Sequence, residues 1–290
     1  MAKTDLTKKL LKRFDRLTSQ RQNWETHWQE VADFMMPRKA DVTKTRSRGD
    51  KRTELIFDSS PLQAVELLSA SLHGMLTNPS TPWFSLRFKN SEMDDQDEAK
   101  EWLESATDIM YTAFNRSNFQ QEIFELYHDL ITFGTAAMFI EEDDEDLLKF
   151  STRHINEIYI AEDGKGRIDT VYRRFKISAR AAIQRFGDKV STKVTTVANK
   201  DPYEEVEIIH AVYPRSDFDI TKQDSSNMPF ESVYIEYKSG DELSVSGFRE
   251  FPFVVPRYLK ASHEIYGRSP AMTALPDVKM LNEMSKTTIK

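Results

Sequence analysis

Glu125 and His128 stand three residues apart in a segment with helical apolar spacing, which sets both side chains on one helix face, as in di-iron carboxylate bundles. Such a centre needs a second pair of this kind on a facing helix, and no helical segment of the chain supplies one. The acidic run Glu141-Glu142-Asp143-Asp144-Glu145-Asp146 has neither the alternation nor the glycine of an EF-hand loop. Gly164-Lys165-Gly166 lacks the longer GxxxxGK[ST] spacing of a phosphate loop. With no cysteine, the chain has no thiolate zinc site, cysteine nucleophile or disulfide scaffold, which fits a reducing compartment. Neither a nucleophile elbow nor a metalloprotease helix is present. Asp and Glu total 47, too many for residue type alone to single out an acid-base pair. The inventory therefore describes a protein without catalysis, metal or cofactor, in which the isolated His27, His73, His154, His210 and His263 are packed or solvated.

The net charge of -7 argues against a broad nucleic-acid surface, yet the charge is unevenly placed. Arg38, Lys39, Lys44, Arg46, Arg48, Lys51 and Arg52 face only Asp41 and Asp50 in a polar, Thr-rich stretch that reads as a basic, mobile loop. This segment is the candidate contact for DNA or another macromolecular partner, with Arg46, Arg48 and Arg52 foremost. Glu92, Asp94, Asp95, Asp97, Glu98 and Glu101 form one acidic cluster and residues 141–146 another. Such patches either face water or are neutralised between neighbouring subunits. The longest nearly apolar run, Leu130 to Ile140, falls well short of the roughly 20 residues that span a bilayer. Because the N-terminus also lacks an apolar signal region, the expectation is a soluble, cytoplasmically made protein with no membrane partner.

The elements that must position these residues are α+β. A hydrophobic share of 39% is enough for one large core or two modest ones. Leu6, Leu10, Leu11, Phe14, Leu17, Trp24, Trp28, Val31, Phe34 and Met35 recur at helical spacing up to Pro37, giving one long helix or two that meet near Ser19. Ser60, Pro61 and Gln63 carry the chemistry of an N-cap with a capping box, followed by an apolar stripe of Leu62, Val65, Leu68, Leu72, Met75 and Leu76. Further helices are expected from about Asp95 to Asn115 and from about Asn118 to Phe133, with aromatic-rich faces (Trp102, Phe114) turned to the core. After Gly134 come β-prone runs at 136–140, 155–161, 168–175, 206–214, 233–238 and 253–259, a hairpin turn at 162–166 and a short helix at 178–186. Ser269-Pro270 opens a last helix, which stops at Lys290 without a cap, as expected for the N-terminal part of a longer polypeptide. The expected division is helical at 1–135, β-rich at 136–262 and the start of an outgoing helix at 263–290.

Three blocks stand in order along the chain. The first is Arg21-x-x-Trp24-x-x-x-Trp28-x-Glu30 running on to Pro37; the second is the stretch from Ser60 to Leu86, which includes Leu72-His73-Gly74-Met75 and Pro82-Trp83-Phe84. The third comprises Phe253-Val254-Val255-Pro256-Arg257-Tyr258, Tyr266-Gly267-Arg268-Ser269-Pro270-Ala271-Met272 and Leu275 to Asn282. Together they resemble the head-to-tail connecting (portal) proteins of short-tailed bacteriophages. The resemblance implies a wing-like α+β region of a subunit in a twelve-membered ring at one vertex of the phage head. Its partners would be further copies of itself, the terminase large subunit, the major capsid and scaffolding proteins, tail adaptor proteins and the double-stranded DNA passing through. It implies no bond chemistry and no cofactor, a virion location and assembly in the host bacterial cytoplasm. Trp83 and Phe84 would be core or subunit-interface anchors, and Gly267, Ser269 and Pro270 a structural turn that launches the last helix. Two other classes remain open at this point: a soluble α+β enzyme of unknown reaction, and a monomeric DNA-binding or scaffolding module.

Overall fold

In the computed structural model, residues 5–47, 49–89, 96–219, 221–222 and 224–289 are described. The architecture is α+β. The helices are α1 (Asp5–Met35), α2 (Ser60–Leu76), α3 (Asp97–Arg116), α4 (Phe119–Phe133), α5 (Ala179–Phe186), α6 (Thr192–Lys200) and α7 (Pro270–Ile289). The strands are β1 (Ala137–Asp143), β2 (Leu147–Arg153), β3 (Ile158–Glu162), β4 (Ile168–Ser178), β5 (Glu205–Pro214), β6 (Phe230–Glu236), β7 (Glu242–Phe248) and β8 (Phe253–Val254). They sort into two compact units interleaved along the chain, residues 1–27 with 156–253 and residues 28–155 with 254–290. No described helix is long and apolar enough to cross a membrane.

The first unit is an antiparallel sheet in the order β3-β4-β5-β6-β7. Successive side chains of a strand leave opposite faces, so Ile208 and Ile209 feed different cores. Ile209 joins Tyr172, Val233 and Ile235 beneath Leu10 and Phe14 of α1. Ile208 joins Phe175 and Leu243 against Ala182, Phe186 and Val194 of α5 and α6. Arg21, only 2% exposed, donates to the carbonyls of Ile158 and Asn156 at 2.5 and 2.9 Å. Its guanidinium also lies 3.7 Å from the centre of the Tyr159 ring and pairs with Glu25 at 2.8 Å, so the buried charge is neutralised and hydrogen-bonded.

In the second unit Phe119, Ile123, Leu126 and Tyr127 of α4 pack on Ala136 and on Met138 and Phe150 of the β1–β2 hairpin. Trp28, fully buried, donates its indole N–H to the Phe133 carbonyl at 3.0 Å and meets Tyr266 edge-on at 5.0 Å. Truncating a buried ring of this size costs about 3–5 kcal/mol.

Of the two alternatives the spacing allowed, α1 is the single uninterrupted helix through Ser19. The structure departs from the sequence-based expectations in several places. α2 begins one residue earlier than the capping-box pattern requires: Ser59 is the N-cap without a side-chain bond, and the Asp58 carboxylate accepts the Ser60 amide at 2.8 Å. Met75 and Leu76 of the α2 stripe are 81% and 54% exposed, and Trp102 of α3 is 61% exposed, so these residues lie outside the core. β2, β7 and α6 were not expected. The run 141–146 is strand followed by turn, with Asp143 Oδ1 accepting the amides of Glu145 and Asp146 at 3.0 Å each. Glu92, Asp94 and Asp95 of the other acidic cluster lie outside the described residues.

Candidate functional site

Two neighbourhoods of the second unit collect most of the residues singled out from the sequence. The first is the crossing between the end of α4 and the start of α7. Gly134 caps α4 at φ +74°, returning its amide to the Leu130 carbonyl at 3.0 Å. A Cβ at Gly134 would overlap the Gly267 carbonyl, and one at Gly267 would overlap the Gly134 carbonyl, so only glycines let the two backbones pass this closely. Around them the Gly267 amide donates to Thr135 Oγ1 at 2.8 Å and the Tyr258 amide to the Gly134 carbonyl at 2.9 Å. Ser269 Oγ donates to the Thr132 carbonyl at 2.9 Å while accepting the Met272 amide at 3.0 Å, which caps α7. Pro270 occupies the first helical position, where no amide is needed.

The second neighbourhood is the basic segment, whose described residues are largely hydrogen-bonded or ion-paired within the fold. The Gln29 carboxamide reads it: Oε1 accepts the amides of Val42 and Thr43 at 3.0 and 2.8 Å, and Nε2 donates to the Ala40 carbonyl at 2.7 Å. Arg38 and Lys39 share Glu125 at 2.9 and 3.0 Å, and Lys39 also reaches the buried Asp129 at 2.6 Å. Lys44 and Arg46 pair with Asp33 at 2.5 and 3.5 Å, and Arg52 pairs with Asp41 at 2.6 Å. Lys51 is exposed, and Arg48 lies outside the described residues. Most of this positive charge is thus compensated inside the fold. Burial pulls Glu125 upward, but its hydrogen bonds and ion pairs with Arg38 and Lys39 outweigh that and hold it below the usual carboxylate range.

Glu125 and His128 do share α4, but they serve different partners. His128 is buried, with Nε2 3.2 Å from Glu66, and burial lowers its pKa against the pull of that carboxylate. Among the described residues no group of His, Cys, Asp and Glu could hold a metal ion. A cleft of about 300 Å³ bordered by Met36, Arg38, Arg52, Leu62, Glu66 and His128 adjoins these groups. Arg38 and Arg52 are engaged in ion pairs, and His128 Nε2 faces the Glu66 carboxylate at 3.2 Å, so the polar side chains named at the cleft all have partners within the fold.

Trp83 and Phe84 deliver an aromatic cluster. Tyr111 Oη accepts both of their amides, at 2.6 and 2.7 Å, and donates to the Phe84 carbonyl at 2.9 Å. The Trp83 ring stacks on Phe119 at 5.8 Å and that of Phe84 on Tyr111 at 4.4 Å. Sequence reasoning missed Thr132, Thr135, Gly134 as a crossing partner, Gln29 and Asp129. A buried carboxylate and a glutamine that organises a loop have no local pattern, because their partners come from remote segments.

Comparison with known proteins bears on the whole of this chain. The family described as "Bacteriophage head to tail connecting protein" matches residues 7–290. A "Probable portal protein" of Bordetella phage BPP-1 is 36% identical over 287 residues, covering 97% of this chain and 52% of the relative. A "Portal protein" of Salmonella phage epsilon15 is 37% identical over 293 residues, covering 99% of this chain and 52% of the relative. The chain therefore spans about half the length of the curated relatives it matches.

Proposed function

The chain belongs to the bacteriophage head-to-tail connecting protein family, and on that premise we propose that it forms part of a portal: a ring subunit at a capsid vertex through which DNA is packaged and later ejected. The match across residues 7–290 carries this reading. The ring would hold twelve copies, dock the terminase large subunit, contact major capsid and scaffolding proteins and join tail adaptor proteins. It would assemble in the host bacterial cytoplasm and remain in the virion. The subunit would do no bond chemistry and need no cofactor. In it, residues 1–135 and 136–262 would make the wing and residues 263–290 the start of a helix directed to the stem.

Electrostatics supports a conduit over a clamp. Every phosphate neutralised by Lys or Arg releases counterions and tightens binding, so a channel for sliding DNA must keep such contacts few. A net charge of -7, with the basic segment held largely by Glu125, Asp129, Asp33 and Asp41, meets that requirement. The 38–52 segment is proposed as a light contact for DNA or capsid, made mainly by Arg46, Arg48 and Arg52.

Negative-stain electron microscopy of the purified protein, with native mass spectrometry, tests the reading. Closed rings of about a dozen subunits around a central hole are expected. A uniform monomer at high concentration would overturn it.

A further inference from the structure

We propose that α3 of one copy docks on the α5–α6 pair of a second copy of this chain, with Trp102 and Ile109 as apolar anchors between facing charges; this rests on the ring reading above.

α3 is a two-sided helix. Leu103 is buried, whereas Trp102 and Ile109, two turns apart on one face, are 61% and 67% exposed. Around them the helix carries Asp97, Glu98, Glu101, Glu104 and Asp108 against Lys100 and Arg116. Glu98, Glu101, Glu104 and Asp108 are exposed, and among the described residues none of them takes part in an ion pair. α3 is thus a strongly acidic ridge around two large apolar side chains, the layout of an interface anchor with a charged rim.

The complementary surface is on the same chain. The stretch 179–200, which contains α5 and α6, carries Arg180, Arg185, Lys189, Lys193 and Lys200 against Asp188 alone. Its apolar side (Ala179, Ala182, Phe186, Val194) is spent on the first unit's core, so the cations project to solvent. Among the described residues none of the five is in an ion pair, although Arg185 is held on Tyr234 at 4.7 Å from the ring centre. Tyr203, 73% exposed just beyond α6, offers a flat partner for the Trp102 indole.

A second copy is the occupant to which these observations commit. One chain carries both an uncompensated acidic face with apolar anchors and an uncompensated basic face, so each copy supplies what the next lacks. Two different patches in contact make a heterologous interface, the kind that closes into rings. Duplex DNA would suit the basic face alone and would leave the α3 anchors unexplained.

The test uses two charge-reversed forms of the protein, E101K/E104K/D108K and R180E/K189E/K193E, all at exposed positions. In each form alone, like charges face like, and multimers are expected to fall at least about tenfold at equal concentration. Mixed one to one, the forms regain opposite faces at every contact, so multimers return with both in equal number by native mass spectrometry. W102A is expected to weaken assembly without changing its salt dependence. Wild-type assembly by either form alone, or no recovery on mixing two folded forms, overturns the proposal while wild-type rings still uphold the portal reading. A monomeric wild type overturns both. Loss of duplex DNA binding in R180E/K189E/K193E with assembly unchanged assigns the basic face to nucleic acid and overturns the docking contact.

Discussion

Glycine does unlike things at Gly134 and Gly74. At Gly134 the left-handed backbone and the Gly267 carbonyl both exclude a side chain, whereas at Gly74, inside α2, a Cβ meets nothing within 4 Å. Gly134→Ala is therefore expected to cost at least about 2 kcal/mol, from αL strain plus displaced backbone. Gly74→Ala should gain up to about 1 kcal/mol from helix propensity. Urea unfolding of the two variants checks the pair, and similar midpoints would mean that the crossing relaxes at little cost. Local chemistry announces part of this site: Ser269 before Pro270 is a helix start on any reading. The approach of Gly134 to Gly267 is illegible in the sequence, because each glycine looks like an ordinary turn residue until the fold brings the two strands of backbone together.

Elements were legible where one local signal dominated. α1, α4 and α7 carry long apolar periodicities, and β5 is rich in β-branched and aromatic residues (Val206, Ile208, Ile209, Val212, Tyr213). α6 reads Thr-Lys-Val-Thr-Thr-Val-Ala-Asn-Lys, rich in β-branched residues that disfavour helix, and only its surroundings make it helical. Ser191 is central there: its Oγ accepts the Val194 amide at 3.3 Å and donates to Glu236 at 3.0 Å. Ser191→Ala should cost about 1–2 kcal/mol, read as a lower thermal midpoint for the first unit. An unchanged midpoint would show that α6 is held by Val194 burial alone. β7 escaped notice because Ser244, Ser246 and Gly247 interrupt its pattern and it sits at a sheet edge, where Leu243 is its one fully buried apolar side chain. β2 was masked by the acidic run beside it; its partner β1 starts apolar and ends acidic, so period-two patterning fades before the turn.

For the molecule as a whole, buried histidines weigh on the second unit in acid, while buried tyrosines weigh on both units in alkali, Tyr127 of α4 among them. Burial holds His73 and His128 of the second unit below the ordinary 6.5, so the unfolded chain takes up those protons first. That unit accordingly loses stability as pH falls below 6.5, and again below 4.5, where Glu125 is protonated in the unfolded chain before the folded one. In the first unit, burial raises Tyr172 from 10.0 to about 12 and raises Tyr213 as well, so ionisation of the unfolded chain erodes stability as pH climbs past 10. Hydrogen exchange, corrected for intrinsic rates, should show α4 amides losing protection first between pH 7 and pH 5, and β4 and β5 amides losing theirs above pH 10. Equal loss along the whole chain at both extremes would refute this. The Gly134–Gly267 crossing also bears on manufacture. A ribosome delivers the end of α4 long before it delivers the segment that must lie across it, and all of β3 to β7 emerges in between. The sheet unit has its last strand before α7 exists, while the aromatic helices of the other unit wait with one side uncovered. A pause in translation anywhere between the codons for Gly134 and Gly267 would lengthen the exposure, whereas one before α3 would not.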